Sequence, residues 1–317
     1  MDGFSHVVKV VVQALLLVVL APLVTGLIQK LKARLQCREG ASVVQPYRDL
    51  HKLLRKGTVQ SDTASGFFRA VPVLVLAATL ATTTMVPVLW VPAPTPSPHL
   101  LVLGDAILLL SLLALARFLL AVGALDAGGA FGGMGASREM TVATLVEPVL
   151  MLVVFSVTVA AGTTDLGALA AHQTAGRGPL GAADVLALFA MLMLLLAETG
   201  RIPVDNPDTH LELTMLHEAM LLEHSGPGLF CLHLAHHTKQ IVVIAFVQAL
   251  FLPWMASGPE PVALALALGA FAARTLVLSI FLALVESSYA KLRLFRLPQF
   301  LGLGFLCAFL AVALRIL

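Results

Sequence analysis

The sequence is poor in charged residues and in cysteine. Of its 317 residues, 12% are Asp, Glu, Lys or Arg and 59% are hydrophobic, whereas a soluble domain carries about 25% charged residues. So little charge excludes an ordinary soluble domain and indicates a protein whose surface lies in lipid. The three cysteines, Cys37, Cys231 and Cys307, form no CxxC pair, which argues against a disulfide framework, a zinc site or an Fe–S cluster held by this chain alone. The net charge of +2 gives no indication of a nucleic-acid partner.

Long apolar runs make up most of the sequence. A helix that crosses a bilayer needs about 20 mostly apolar residues. Eight runs meet this need, over 6–28, 68–91, 100–124, 141–162, 180–198, 240–257, 262–285 and 299–316. The first run has no small-residue cleavage site after it, so we interpret it as a retained helix and not as a signal peptide. The predicted fold class is all-α, a single polytopic membrane domain over 1–317 with about eight transmembrane helices.

The distribution of Lys and Arg predicts an orientation. Eight of these residues lie within 29–67, others follow the third, fifth and seventh runs, and the opposite loops hold only Arg177. Short cytoplasmic loops are rich in Lys and Arg, so we expect both termini to face away from the cytoplasm. Segments 29–67 and 199–239 are then cytoplasmic. Within the first of them, 42–57 has the pattern of an amphipathic helix, which would lie on the membrane surface or against a partner protein.

Acidic residues and histidines are concentrated in one stretch, "LAETGRIPVDNPDTHLELTMLHEAMLLEHSG" (196–226). Pro207 suits the first turn of a helix, and nothing up to His224 interrupts a helical pattern. On that helix the polar loop residues His210, His217 and His224 would share one stripe. Neighbours on it are about 10.5 Å apart along the axis, too far to share a metal ion. We therefore expect no metal site, and interpret the stretch either as interface and capping contacts or as proton handling.

Further ionisable residues fall inside the apolar runs, where they are costly and usually functional. Glu147, Glu286, Arg117 and Arg274 could form internal ion pairs, or could take part in a proton relay, and the two roles are compatible. The candidates for a proton path are Glu147, Glu198, Asp205, Asp208, Glu212, Glu218, Glu223 and Glu286. The candidates for structural ion pairs are Arg117, Arg138, Arg201 and Arg274. No residue is predicted to be catalytic.

Three segments together resemble a known family. "AETGRIPVDNPDTHLEL" (197–213) resembles the signature loop of subunit 1 of respiratory complex I, "GASREMTVATLVEP" (135–148) resembles a second segment of that subunit, and "QPYRDLHKLLRKG" (45–57) resembles its basic helix after the first span. The residues that match the signature loop are Glu198, Thr199, Arg201, Pro203, Asp205, Pro207 and Glu212. The departures Val204, Asn206, Asp208 and His210, with "THLELTMLHEAMLLE" (209–223) and "ESSYAKLRLFRLPQFL" (286–301), resemble the related membrane subunit of group 4 nickel–iron hydrogenases, of the formate hydrogenlyase and hydrogenase-4 types.

The resemblance implies a subunit that anchors and couples but holds no redox centre. It implies hydrogenase large and small subunits, Fe–S subunits and antiporter-like membrane subunits as partners, in the inner (cytoplasmic) membrane. The nickel–iron centre and Fe–S clusters would lie in those partners, and the buried carboxylates here would begin a proton path. Three other interpretations stay open: the quinone-chamber subunit of a complex I-type enzyme, in which case quinone would bind; an independent secondary transporter, which the absence of a repeat disfavours; and a purely structural anchor.

The predicted orientation can be tested with the native cysteines. Cys37 and Cys231 belong to the segments expected in the cytoplasm. A membrane-impermeant maleimide should therefore leave both unlabelled in intact cells and gain access to the cytoplasmic side only after lysis. Labelling of either residue from outside intact cells would contradict the orientation.

Overall fold

The structure, a computed structural model, describes residues 2–59, 64–90, 104–174, 181–205, 216–252 and 261–317. Within these ranges the regular elements are helices. In addition, one isolated antiparallel bridge pairs Asp105 with Asp165. The helices are α1 (Asp2–Leu35), α2 (Gln45–Leu54), α3 (Gly66–Thr83), α4 (Ala106–Asp126), α5 (Ala130–Ala161), α6 (Leu166–Thr174), α7 (Ala182–Glu198), α8 (His217–Leu221), α9 (Gly226–Phe251), α10 (Pro261–Ser288), a 3-10 turn (Leu294–Arg296) and α11 (Leu297–Ile316).

The fold is that of an all-α, multi-pass membrane protein. Seven helices among the described residues are long and apolar enough to span a bilayer: α1, α3, α4, α5, α9, α10 and α11. The eighth predicted run, 180–198, corresponds to α7, whose 17 residues fall short of the length of about 20 that a span usually needs. It begins at Ala182, and the preceding residues 175–180 lie outside the described residues.

Two helices begin well before the apolar runs that predicted them. α5 begins at Ala130, not near 141, and takes the glycine-rich segment into its first turns. A Cβ on Gly132 would lie 2.9 Å from the carbonyl oxygen of Ala124, and one on Gly135 would lie 2.8 Å from Cβ of Ala219. These glycines therefore permit close packing of the first turns of the helix.

α9 begins at Gly226, not near 240. Pro227 stands in its first turn, where the missing N–H costs no hydrogen bond. The polar residues between Gly226 and Lys239, which made this stretch look like a loop, thus lie on the same helix as the apolar run. α9 packs against α1, α3, α7 and α10, and its residues Gln240–Phe251 are buried throughout. It is the central helix of the bundle.

α3 is shorter than its apolar run and ends at Thr83. The hydroxyl groups of Thr82, Thr83 and Thr84 donate hydrogen bonds to the backbone carbonyl oxygens three residues earlier. Such local bonds offer the backbone an alternative to continued helix.

The expected amphipathic helix is α2, which lies across α1 and α9. Its residues Pro46 and Leu50 are buried. A Cβ on Gly26 of α1 would lie 2.1 Å from the carbonyl oxygen of Val43, just before α2. The close approach of these segments therefore depends on a glycine at position 26.

The continuous helix predicted from Pro207 to His224 is wrong at its C-terminal end. α8 ends at Leu221, and Leu222–Ser225 are not helical. His224 consequently does not share a helical stripe with His217. Residues 206–215, including the predicted site residues Asp208, His210 and Glu212, lie outside the described residues.

Candidate functional site

The C-terminal end of α7 places two site residues on opposite sides of one turn. Gly200 has a φ of +59°, a conformation that glycine adopts without strain. The N–H groups of Gly200 and Arg201 donate to the carbonyl oxygens of Ala197 and Leu196, which is the Schellman motif that commonly ends helices. Glu198 therefore stays on the helix, while Arg201 turns away from it.

Glu198 belongs to an ionic cluster inside the helix bundle, hereafter the Arg117 cluster. The guanidinium of Arg117 binds an oxygen of Glu198 directly, and lies 3.3 Å from Glu147 Oε1 and 3.4 Å from Glu139 Oε1. Nζ of Lys239 lies 2.8 Å from the second oxygen of Glu198. The cluster thus joins α4, α5, α7 and α9 through charged side chains.

The charges of the Arg117 cluster do not balance. Its three carboxylates face two cations, so its net charge is −1 when every group is ionised. The Glu198 side chain is 1% exposed, whereas that of Glu147 is 46% exposed. Arg117 and Lys239 each contact one oxygen of Glu198, so the excess negative charge falls on Glu139 and Glu147.

A second group of ion pairs lies on the other side of the α7 end. Nη1 of Arg201 lies 2.9 Å from Glu286 Oε1, and Nζ of Lys32 lies 3.6 Å from Glu286 Oε2. Nζ of Lys291 lies 2.7 Å from Oδ1 of Asp205. These contacts tie the ends of α1, α7 and α10 together.

Asp205 also positions α8. Its Oδ2 accepts hydrogen bonds from the backbone N–H groups of Leu216 and His217, each at 3.3 Å. Since Lys291 holds its other oxygen, this buried carboxylate is shared between the connector before α11 and the start of α8.

Three cavities adjoin these residues in a row. The large cavity, of about 640 Å³, lies between α1, α2, α9 and the α7 end, and its lining includes Lys32, Arg201 and Glu286. The middle cavity, of about 60 Å³, is lined in part by Lys239 and Glu139. The side cavity, of about 330 Å³, holds Glu147 between α4 and α5.

Neighbouring cavities share walls. The large and middle cavities share Gly200, Asp205, His217 and His236. The middle and side cavities share Leu113, Arg117 and Glu198. Titratable side chains therefore occur at both boundaries, from the broad polar cavity to the Arg117 cluster.

Four histidines line the large cavity: His217, His233, His236 and His237. The ring centroids of His217 and His236 are 4.8 Å apart, those of His236 and His237 are 6.0 Å apart, and those of His233 and His237 are 6.5 Å apart. The hydroxyl of Thr25 lies 3.1 Å from Nδ1 of His237. The described residues contain no group of three or more His, Cys, Asp or Glu side chains arranged to hold a metal ion.

His224 has a different environment. Its ring stacks on Phe68, with ring centroids 4.1 Å apart and ring planes 2° from parallel. Burial lowers the pKa of His224 to about 4, because desolvation disfavours the charged imidazolium. The residue is therefore neutral near pH 7 and packs as an aromatic ring between α3 and the start of α9.

The structure brings together part of the predicted set. Arg117 pairs with Glu147 as expected, but Glu286 pairs with Arg201 and Lys32 and not with either of its expected partners. Arg274 donates hydrogen bonds to the carbonyl oxygens of Leu252 and Ala270.

Three more predicted residues lie at the edges of this region. Glu218 lines the large cavity. Glu223 is exposed, and one of its carboxylate oxygens lies 2.4 Å from where a Cβ of Gly129 would stand. Arg138 is half-buried on α5, next to the residue that faces Arg117.

Sequence reasoning missed Glu139, Lys239 and His236 as site residues. Each lay outside a predicted span, because α5 and α9 were expected to begin later. The spacing of His236 and Lys239, three residues apart, would have placed them on one helix face if α9 had been extended toward Gly226.

Comparison with known proteins shows what the chain is similar to. The NADH dehydrogenase family matches residues 8–316. Formate hydrogenlyase subunit 4 of Escherichia coli (strain K12) is 36% identical over 307 residues, covering 95% of each chain. Hydrogenase-4 component C of the same strain is 33% identical over 314 residues, covering 98% of this chain and 96% of the relative.

More distant similarities agree with these. NADH-ubiquinone oxidoreductase chain 1 of Emballonura alecto is 25% identical over 297 residues, covering 92% of this chain and 89% of the relative. A chain of the membrane-bound sulfane sulfur reductase, an archaeal respiratory membrane complex, superposes with a TM-score of 0.78 at 20% identity, covering 97% of this chain and 99% of that one. The last similarity establishes the fold.

Removing the central cation should destabilise the protein. In Arg117→Gln, three carboxylates would face Lys239 alone, and an uncompensated buried charge costs about 3–5 kcal/mol. The midpoint temperature of thermal unfolding of the detergent-solubilised protein should fall clearly. Arg69→Gln, on an exposed position of α3, is the matched control and should leave it unchanged. Adding Glu139→Gln to Arg117→Gln should restore part of the loss. Equal midpoints for Arg117→Gln and Arg69→Gln would contradict the electrostatic account.

Proposed function

The chain belongs to the NADH dehydrogenase family, and from this premise we propose that it is the membrane-anchoring and proton-coupling subunit of a membrane-bound nickel–iron hydrogenase complex. Two relatives above 30% identity over nearly the whole chain, a formate hydrogenlyase subunit and a hydrogenase-4 component, support the hydrogenase branch. The observation that carries the coupling role is the row of three cavities, which links a broad polar opening to the Arg117 cluster.

The large cavity is less suited to a quinone. Quinone and other small-molecule pockets are lined mostly by apolar and aromatic side chains. Of the 23 described residues around this cavity, ten are Lys, Arg, Asp or Glu and four more are His. Such a lining favours water and ions over a long apolar molecule, which argues against the quinone-chamber alternative.

The coupling role follows from the charge of the Arg117 cluster. A site that holds three carboxylates and two cations has room for one proton at little electrostatic cost. A change of charge or shape at the large cavity, where a redox-active partner would dock, would alter the free energy of that proton. Glu147 lines the side cavity, and the proton would leave through this cavity toward a neighbouring membrane subunit.

The docking surface would be formed by the end of α1, by α2 and by the start of α9. α2 lies next to the large cavity, to which it contributes Asp49, Lys52 and Leu53. In the proposed orientation this surface faces the cytoplasm and both termini face away from it. The hydrogenase large and small subunits and the Fe–S subunits would bind here, and antiporter-like subunits would bind the membrane-embedded flank.

Purification of the intact complex tests the proposed assembly. A tagged chain, gently solubilised, should bring down a hydrogenase large subunit and Fe–S proteins, with nickel and iron present in the preparation. Iron and flavin without nickel would instead support the quinone-reducing alternative. A chain that purifies alone would overturn the proposal.

Neutralising Glu198 tests the coupling. In Glu198→Gln the remaining Glu139 and Glu147 balance Arg117 and Lys239, so the complex should assemble. Proton translocation in proteoliposomes should nevertheless fall by about tenfold or more, since the cluster loses the excess negative charge that would attract a proton.

Asp184→Asn provides the matched control. Asp184 is also buried, also on α7 and also paired with an arginine, Arg315, but it lies at the other end of the helix. Its substitution should leave translocation per hydrogen intact. If both variants translocate protons like the wild type, the Arg117 cluster has only a structural role.

A further inference from the structure

Two imidazole rings form part of the wall between the large and middle cavities. His217 and His236 each line both cavities, and their ring centroids are 4.8 Å apart with ring planes at 34°. Nε2 of His217 is buried and has no hydrogen-bond partner among the described residues. The two rings thus adjoin each other at the boundary between the open polar space and the Arg117 cluster.

The backbone holds both rings in place. His217 is the first residue of α8, and Asp205 accepts a hydrogen bond from its N–H. α8 in turn packs against Gly135 of α5, where a side chain would clash with Ala219. His236 lies in the interior of α9, three residues before Lys239, and so on the same face of the helix.

The other residues of the shared wall are poorly suited to carry a proton. Gly200 has no side chain. Asp205 is engaged by Nζ of Lys291 and by two backbone N–H groups, so both of its oxygens already have partners. The imidazoles differ from both, because each ring has two nitrogens and can accept a proton on one and release a proton from the other.

We propose that His217 and His236 carry protons from the large cavity to the Arg117 cluster. This inference rests on the proposed coupling function and names the residues that would supply the cluster. In each transfer a ring nitrogen takes a proton from water in the large cavity, and the ring releases the proton on its other nitrogen toward the middle cavity. Only N–H and O–H bonds form and break, and no electrons are exchanged.

The groups that would receive the proton from the two histidines lie among the described residues. Lys239 lines the middle cavity, and its Nζ lies 2.8 Å from Glu198. Glu139 and Arg117 line the same cavity. A proton that enters there reaches the cluster whose net charge of −1 favours it.

Charged and titratable groups from several elements line the two cavities. They are Lys32, Arg38, Glu39, Asp49, Lys52, Lys56, Arg117, Glu139, Glu198, Arg201, Asp205, Glu218, His233, His237, Lys239 and Glu286. Carboxylates occur in the lining of both cavities, Asp49, Glu218 and Glu286 in the large one and Glu139 and Glu198 in the middle one.

Chemical rescue provides the test. In His236→Ala, studied in the intact complex in proteoliposomes, proton translocation per hydrogen should fall by about tenfold or more. Imidazole added to the medium, which can enter through the large cavity, should restore it with saturation. The control is His172→Ala, at an exposed position of α6, which should neither lose translocation nor respond to imidazole. Hydrogenase activity with a soluble dye should be unchanged in both.

A second pair of variants tests the inference if His236→Ala prevents assembly of the complex. His217→Gln and His236→Gln keep polar side chains of similar size but cannot take up a proton, and each should lose translocation without rescue by imidazole. Normal translocation in these variants, while Glu198→Gln has lost it, would overturn this inference and leave the coupling function standing. Normal translocation in Glu198→Gln as well would overturn the coupling function itself.

Discussion

The structure depends on compensating the buried charge of Arg117. A guanidinium removed from water costs several kcal/mol unless carboxylates surround it, and here they come from α5 and α7. Lys239 of α9 then balances part of the excess negative charge. Four helices are thereby brought to one point by charged side chains. Apolar packing between helices in lipid is weakly directional, so this cluster specifies how they are arranged.

The proposed coupling follows from the same constraint. A perfectly balanced cluster would be a static support, whereas three carboxylates against two cations would leave room for one proton. The Schellman turn after Glu198 puts Arg201 on the opposite side, where it binds Glu286. One short segment therefore connects the Arg117 cluster to the large cavity. A displacement of this turn by a docked partner would change the distances in both groups of ion pairs.

Much of this architecture could be predicted from the sequence, but the site only in part. Glu147 and Glu198 stand out because a carboxylate within an apolar run needs a partner, and Arg117 was one of two arginines considered for Glu147. Glu139, Lys239 and His236 did not stand out, because polar residues at the ends of long helices look like loop residues when spans are sought by hydropathy alone. The partner of Glu286 could not be predicted, because the contact between Arg201 and Glu286 joins residues that are far apart in the sequence. The continuous helix through His224 failed for the same reason, since the stacking of this ring on Phe68 is a long-range contact.

The central claim is that the Arg117 cluster gains and loses one proton while the complex works. Infrared difference spectroscopy of the intact complex, recorded between its resting and hydrogen-reduced states, observes carboxyl protonation directly. The account predicts a protonated-carboxyl band that shifts in heavy water, is absent from Glu198→Gln and is unaffected by Asp184→Asn. A spectrum without any carboxyl band, or with a band that persists in Glu198→Gln, would show that the cluster stays fully ionised and would contradict the account.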